Sequence, residues 1–388
     1  MPSQLGLAKL NAISRNDIAL MMKTRLLRTL LAMVISGGTV AALGGMAGCS
    51  ASDKAAADQR VYFGVLGDSD SHSFHDMVFL DGPALRGAEF RPITFQWTEI
   101  IARLRPQQIN MGEWGKWGMS GRLAAVLSHF GFEDRAPRKE DYQFNFATSG
   151  AKCSNLTEGM SRQTQRLLYH MDKNPAAWAH GIITIRIGVN SIGTQEALAG
   201  FAQSGLSASA LKEVDSCTNY VHTAVDLIRA NHPTTRIVLI GILNNADFIP
   251  WINDWTTPTQ LKNINDVMDA YDNGMKKIAA DDSNILFWDD RAWFKKYWGG
   301  RDDNGNPNYH GLFLSGPQEI TYTQGNSPVN AILGDGHAGV AWNGIWARDL
   351  LQALNQNFDY AFIPIDINDI AKLIDADRRF GIAGPVTR

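Results

Sequence analysis

Four short apolar runs separated by long amphipathic stretches constrain this 388-residue chain more than any other feature. Residues 60–66 (RVYFGVL), 181–187 (GIITIRI), 236–243 (RIVLIGIL) and 284–288 (NILFW) are aliphatic and β-branched almost throughout. Runs without polar alternation are the pattern of strands buried on both faces. Residues 142–146 add a further candidate strand. Between the runs, residues 154–171, 207–231, 259–280 and 342–358 place apolar side chains at helical spacing. In the second of these Leu211, Val214, Val221, Val225 and Ile228 share one face, and Pro233 stops the helix. Buried strands alternating with amphipathic helices require a parallel sheet covered on both sides. The expected fold is therefore α/β: a three-layer α/β/α domain over residues 60–388 with a mostly parallel sheet of about five strands. Two stretches break the rhythm and read as insertions. One, at about 76–140, is aromatic. The other, at about 291–333, is a long loop rich in Gly, Asn, Asp and Tyr.

The N-terminus reads as an address. Lys23, Arg25 and Arg28 precede the uncharged stretch 30–48, which ends in Met46-Ala47-Gly48-Cys49. A basic region, an apolar region and small residues before a cleavage point make a secretory signal. The Cys after Ala-Gly resembles the lipobox of bacterial lipoproteins, with Met46 where that motif usually has Leu. The resemblance implies lipidation of Cys49, a signal peptide over residues 1–48 (1–20 being an upstream extension) and a polar tether over 49–59. The alternative is a membrane-spanning anchor, for which five glycines within 30–48 are a poor composition. Whole-chain charge is near balance, 36 basic against 39 acidic residues. Without residues 1–48 the chain keeps 31 and 38, a net of −7. That excludes a nucleic-acid binder working by bulk charge. Attachment to a bacterial membrane, on its periplasmic or cell-surface side, would rest on lipid alone.

Chemistry-bearing residues recur at the ends of the predicted strands. Gly67-Asp68-Ser69 closes the first, Thr148-Ser149-Gly150 follows residues 142–146, Gly188-Val189-Asn190 closes the next, and Asp335-Gly336-His337 precedes the last amphipathic helix. Open α/β sheets bind ligands outside the carboxyl ends of their strands. Ser, Gly, Asn and His in this order, each at an element end, resemble the SGNH hydrolases, also called the GDSL esterase/lipase family, across roughly residues 60–358. The resemblance implies a flavodoxin-like strand order and a serine ester hydrolase that needs no cofactor or metal. It also implies Ser69 as nucleophile, His337 as base, and an oxyanion hole formed by the backbone N–H of Ser69, the backbone N–H of Gly150 and the side-chain amide of Asn190. The chain departs from the family pattern in three places. Asp70 stands where the motif has Leu, Ser191 stands where the Asn block continues with Asp, and Gly334 occupies the position three before the His where the acid normally lies. Asp335 is the expected acid; the alternative is a Ser–His dyad helped by a backbone carbonyl.

Other readings stay open on the sequence. Asp68, Asp70, His72, His75 and Asp76 imitate the first block of a metallophosphoesterase, although its Gly-Asp-x-x-Asp and Gly-Asn-His blocks are missing. A non-catalytic glycan-binding surface lipoprotein would also use many of the 11 Trp. Trp114, Trp117, Trp251, Trp255, Trp293 and Trp298 with neighbouring Asn and Asp suggest aromatic platforms for a small-molecule or polysaccharide ester, favouring an acylated saccharide over a long-chain lipid. The competing account is that these Trp pin loops down. Cys153 and Cys217 either pair or stay buried thiols. In the tail, Asp366 is the expected cap of a helix rather than part of a calcium loop.

Overall fold

The apolar runs do become strands, and their pairing is parallel. The computed structural model describes residues 58–79, 86–128, 133–302 and 304–384; the expected signal peptide, Cys49 and most of the expected tether lie outside them. The strands are β1 (Val61–Gly67), β2 (Ile109–Asn110), β3 (Trp114–Trp117), β4 (Lys139–Tyr142), β5 (Ile182–Arg186), β6 (Arg236–Ile240), β7 (Ile285–Trp288), β8 (Gly299–Arg301), β9 (Pro307–Tyr309), β10 (Leu312–Phe313), β11 (Glu319–Gln324) and β12 (Asn330–Ile332). The helices used below are α1 (Trp97–Leu104), α2 (Gln163–Met171), α3 (Ala208–Asn231), α4 (Pro258–Ala280), α5 (Asp290–Trp298), α6 (Val340–Phe358) and α7 (Ile367–Ile374). Among the described residues the central sheet has five strands in the order β2-β1-β5-β6-β7. Val65 pairs with Thr184, Thr184 with Val238 and Val238 with Leu286, all in parallel.

The sheet is buried on both faces, which is why its strands show no polar alternation. Successive side chains of a strand point to opposite faces. Phe63, Val65, Val238 and Ile240 pack with Ile100 of α1 and Trp346 and Leu350 of α6. Leu66, Ile183, Ile185, Ile237 and Leu239 pack with Val221 and Val225 of α3 and Met268 of α4. Each fully buried aliphatic side chain contributes roughly 1.5–3 kcal/mol. The helices begin where their sequence signals stand. Ser207 Oγ accepts from Ala210 N at 3.3 Å. Thr257 and Gln260 form a capping box with Pro258 in the first turn of α4. Asp366 Oδ1 accepts from Asn368 N at 2.7 Å at the start of α7. Among the described residues no helix is long and apolar enough to cross a membrane.

Three local expectations are corrected. Residues 142–146 are not a strand of the central sheet. Only Asn145 bridges Val65, and the preceding segment, β4, pairs antiparallel with β3. The Asn145 amide is spent instead on Ser71 O and Ala147 N, at 2.8 and 3.1 Å. The helix expected over 154–171 is interrupted. A 3-10 turn at Cys153–Leu156 and α2 are separated by Gly159 and Arg162, both at positive φ. The long loop expected over 291–333 holds a helix and short strands. Asp289 Oδ1 accepts from Ala292 N at 2.9 Å, and Trp293, Phe294 and Trp298 of α5 enter the core.

Cys153 and Cys217 are joined in a disulfide, their Cα atoms 5.1 Å apart and 64 residues distant in sequence. Closing a loop of that length removes chain entropy worth about 4 kcal/mol from the unfolded state. Cys217→Ser should lower the unfolding free energy by about that amount, read from urea midpoints in non-reducing buffer. Reaction of Cys153 and Cys217 with a thiol reagent in the denatured, unreduced wild type, read by peptide mass, would mean that the bridge is not formed in solution.

Candidate active site

At the carboxyl end of β1 the chain must turn sharply while β1 lies against β5. A Cβ on Gly67 would sit 2.3 Å from the carbonyl oxygen of Arg186, so only glycine allows that approach. The turn then closes on Asp68. Its carbonyl accepts from Ser71 N and His72 N at 3.1 and 3.0 Å, and its Oδ1 accepts from Asp70 N at 3.0 Å. Burial, with the Asp70 charge adding to it, pushes the Asp68 carboxyl well above the usual range. Ser69 is thereby presented at the strand end, 9% exposed. Beneath it Arg186 donates to Asp70 O at 3.1 Å and to Asp290 Oδ2 at 2.8 Å, with its guanidinium over the Trp346 ring.

Ser69, Asn190, Asp335 and His337 line one cleft of about 310 Å3, together with Arg186, Asn245, Phe248, Trp251 and Trp342. Gly150 lines an adjoining depression that shares Asn190. Asn190 Nδ2 donates to Ala151 O at 3.1 Å, tying the two blocks together. Gly150 has φ +78° and open space where a Cβ would stand, so backbone conformation rather than crowding calls for glycine there. Among the described residues neither the Ser69 N–H nor the Gly150 N–H has an acceptor. Ser191, where the SGNH pattern has Asp, accepts from Cys153 N at 3.2 Å.

The His337 loop has its own order. Asp335 Oδ1 accepts from His337 N at 3.1 Å, and Asp335 Oδ2 stands 3.1 Å from His337 Nδ1. That second contact has the distance of an ion pair without the alignment of a hydrogen bond, and Nδ1 is otherwise unpartnered. Burial alone would raise the Asp335 carboxyl, but the His337 ring and then the Arg86 guanidinium outweigh it and hold it well below the usual carboxylate range. Arg86 gives no signal in the sequence, because it meets this loop from 249 positions away. Its Nε donates to Asp335 Oδ2 at 2.9 Å and its Nη2 faces His337 Nε2 at 3.4 Å, with the guanidinium over Phe74. A donor facing Nε2 requires a lone pair there and so places the ring proton on Nδ1, toward Asp335. Among the described residues no hydrogen bond joins Ser69 Oγ to His337, whose Nε2 is met by Arg86.

The six tryptophans fare unequally. Trp251 lines the cleft. Trp255, Trp293 and Trp298 are buried in the core at 5%, 5% and 0% exposure, so they offer no platform. Trp114 and Trp117 lie on β3, paired with β4, and are not among the residues lining the cleft. Trp342, unremarked in the sequence, lines it instead. The acidic and imidazole groups after β1 do not converge as metal ligands would. His72 Nε2 meets Asp76 at 2.7 Å, whereas His75 meets Glu99 at 2.6 Å and Arg91 O at 3.0 Å. Among the described residues no group of three or more His, Cys, Asp or Glu is placed to hold a metal ion.

No known family model matches the chain, and no curated protein matches it. Solved structures that resemble it include an extracellular lipase from Streptomyces rimosus, at 15% identity over 66% of this chain and 89% of that one, with a TM-score of 0.32. A phospholipase A1 from Streptomyces albidoflavus matches at 16% identity over 64% of this chain and 92% of that one, TM-score 0.33. A candidate GDSL-like lipase from Parabacteroides merdae matches at 14% over 65% and 89%, TM-score 0.28. At these values neither activity nor substrate passes from them to this chain.

Proposed function

We propose that this chain is an exported serine ester hydrolase of the SGNH type, acting through an acyl-enzyme on Ser69. One observation carries the reading: Ser69, Asn190, Asp335 and His337, up to 268 positions apart in the sequence, meet in one cleft at the carboxyl edge of a parallel sheet. Ser69 Oγ attacks the ester carbonyl and His337 Nε2 takes its proton, once Arg86 has moved off that nitrogen. The new oxyanion is met by the free N–H groups of Ser69 and Gly150 and by the Asn190 amide, each such donor being worth about 3 kcal/mol. Collapse expels the alcohol, which receives the proton from His337. Water, activated by the same imidazole, then releases the acid. A sugar hydroxyl in place of water would make the protein an acyltransferase by the same intermediate. No cofactor or metal is needed. Lipidation of Cys49 would hold the enzyme to the outside of a bacterial membrane.

An acylated saccharide is the favoured substrate class. The cleft is small, and its walls offer the indole of Trp251 and the ring of Phe248 beside the amides of Asn190, Gln195 and Asn245. Aromatic faces suit sugar rings, and amides fix hydroxyls. The test pairs a fluorophosphonate probe, located by peptide mass, with a panel of acetylated sugars and esters of increasing chain length. Labelling at Ser69 and rates that fall beyond short acyl chains are expected. Rates that climb past about eight carbons would discard the saccharide, since a groove that rewards each CH2 by ~0.8 kcal/mol is a lipid groove. No labelling, with hydrolysis lost to a chelator, would discard the serine mechanism.

A further inference from the structure

The turn that carries Gly150 is held by a buried side chain with no part in the hydrolysis scheme. His72 is 3% exposed, in the same turn as Ser69, and its Nδ1 faces two donors of Ser149. The backbone N–H lies at 3.1 Å and the hydroxyl at 2.9 Å. Its Nε2 meets Asp76 Oδ2 at 2.7 Å. The other oxygen of Asp76 accepts from Val78 N, Phe79 N and Glu140 N, at 2.7, 3.0 and 2.9 Å. A ring that accepts at Nδ1 must carry its proton on Nε2, pointing at that anchored carboxylate. Burial first, then the Lys139 charge, pushes His72 down to about 4 against the pull of Asp76 and Asp141, so the ring is a neutral acceptor at ordinary pH.

We propose that His72, seated by Asp76, is a positioning residue that sets the Gly150 N–H against Ser69. The proposal rests on the ester-hydrolase reading above, which gives that N–H its work. The two turns are also tied by Thr148 N to Gly67 O at 3.0 Å and by the Asn145 amide to Ser71 O at 2.8 Å. These ties stop short of residue 149, which the imidazole reaches; on the far side of Gly150, Ala151 O is held by Asn190 Nδ2 at 3.1 Å. An oxyanion donor acts only if it stands where the charge develops, and a misplacement of about 1 Å can cost about 100-fold.

The same observations do not make Ser149 a nucleophile. The single lone pair of Nδ1 is shared with the Ser149 backbone N–H, and the ring is too poor a base to hold a proton at neutral pH.

The experiment compares three variants of the full chain. His72→Phe keeps an aromatic ring beside Phe79, which packs on His72, and removes the polar contacts of both ring nitrogens. It should lower kcat about 100-fold with KM within about threefold, because the donor acts mainly on the oxyanion. His72→Gln can still accept from Ser149 and donate to Asp76, and should recover most of that loss. Ser149→Ala keeps the backbone N–H contact and should lose only about threefold, an allowance for one shared hydrogen bond. Amide exchange by mass spectrometry reads the turn without any substrate. In His72→Phe, residues 148–151 should exchange at least about tenfold faster while α3 and α4 keep their protection. Unchanged exchange there overturns the clamp, whatever the kinetics. Ser149→Ala as inactive as Ser69→Ala overturns it in favour of Ser149 as nucleophile. Faster exchange in a protein without Ser69-dependent turnover sinks the hydrolase reading and the link from His72 to an oxyanion, while leaving His72 as the holder of the turn.

Discussion

Ser69→Ala should cut turnover of a short-chain p-nitrophenyl ester by at least about 10^4-fold while the protein unfolds at an unchanged temperature. The size of the loss follows from the scheme. Without the hydroxyl no acyl-enzyme forms, and the oxyanion donors and the cleft are left to assist water alone, which in serine hydrolases keeps only a residue of the rate. The stability half follows from the structure. Ser69 Oγ makes no hydrogen bond among the described residues, so its removal leaves no partner stranded. The Ser69 contact that holds the turn is its carbonyl, which accepts from Gln96 Nε2 at 3.2 Å and survives the substitution. Removing a hydroxyl that faces the cleft and has no hydrogen-bond partner costs within about 0.5 kcal/mol. Activity surviving in a folded Ser69→Ala protein would end the serine reading. Activity lost together with a falling Tm would instead say that the hydroxyl holds the fold, and the comparison would pass to labelling of Ser69 in the wild type.

The sheet was legible in the sequence because it is buried on both faces. Burial writes itself into composition, and the β-branched content and short length of 61–67, 182–186, 236–240 and 285–288 favoured covered strands over buried helix. Long helices with an apolar face and a capping residue were legible for the same reason, within one or two residues at α3, α4 and α6. What escaped was structure fixed by partners far along the chain. Residues 142–146 have the composition of a strand, yet Asn145 spends its amide on Ser71 and the segment ends in a bridge. In residues 291–333 the polar composition hid a helix whose Trp293 and Trp298 fill the core, so the count of tryptophans overstated the platform. At the site, the residues at strand ends could be picked out singly, since a turn after a buried strand is where substrates meet parallel sheets. Arg86 could not, because an arginine in an insertion looks like any solvated charge until the fold sets it against Asp335.

Asp335→Asn should depress kcat/KM by about 10^3- to 10^4-fold, with KM little changed, if Asp335 orients His337. The aspartate stands two residues before the histidine, one fewer than in the SGNH pattern, and Gly336 at φ +88° makes the tighter turn. That turn uses Oδ1 for the His337 backbone and leaves Oδ2 for Nδ1 at 3.1 Å and for Arg86. An amide at this position can turn an N–H toward Nδ1, which stabilises the tautomer carrying its proton on Nε2. Such a ring cannot accept from Ser69. The His337 ring and Arg86 hold the Asp335 carboxyl well below the usual range, so its own titration should not shape the wild-type profile near neutral pH. The amide of the Asn variant does not titrate and the tautomer it favours is neutral, so no rise in rate near neutral pH is expected to rescue it. Asp335→Ala separates the two effects of the change. It removes the anion but presents no donor to Nδ1, so a tautomer mechanism makes Asn worse than Ala. Equal losses in the two variants point to the anion alone, acting on the imidazolium and on Arg86. A loss below about tenfold in both would leave Ser69 and His337 as a dyad. Gly334 would then be a true departure from the SGNH pattern, and Asp335 a residue that closes a turn.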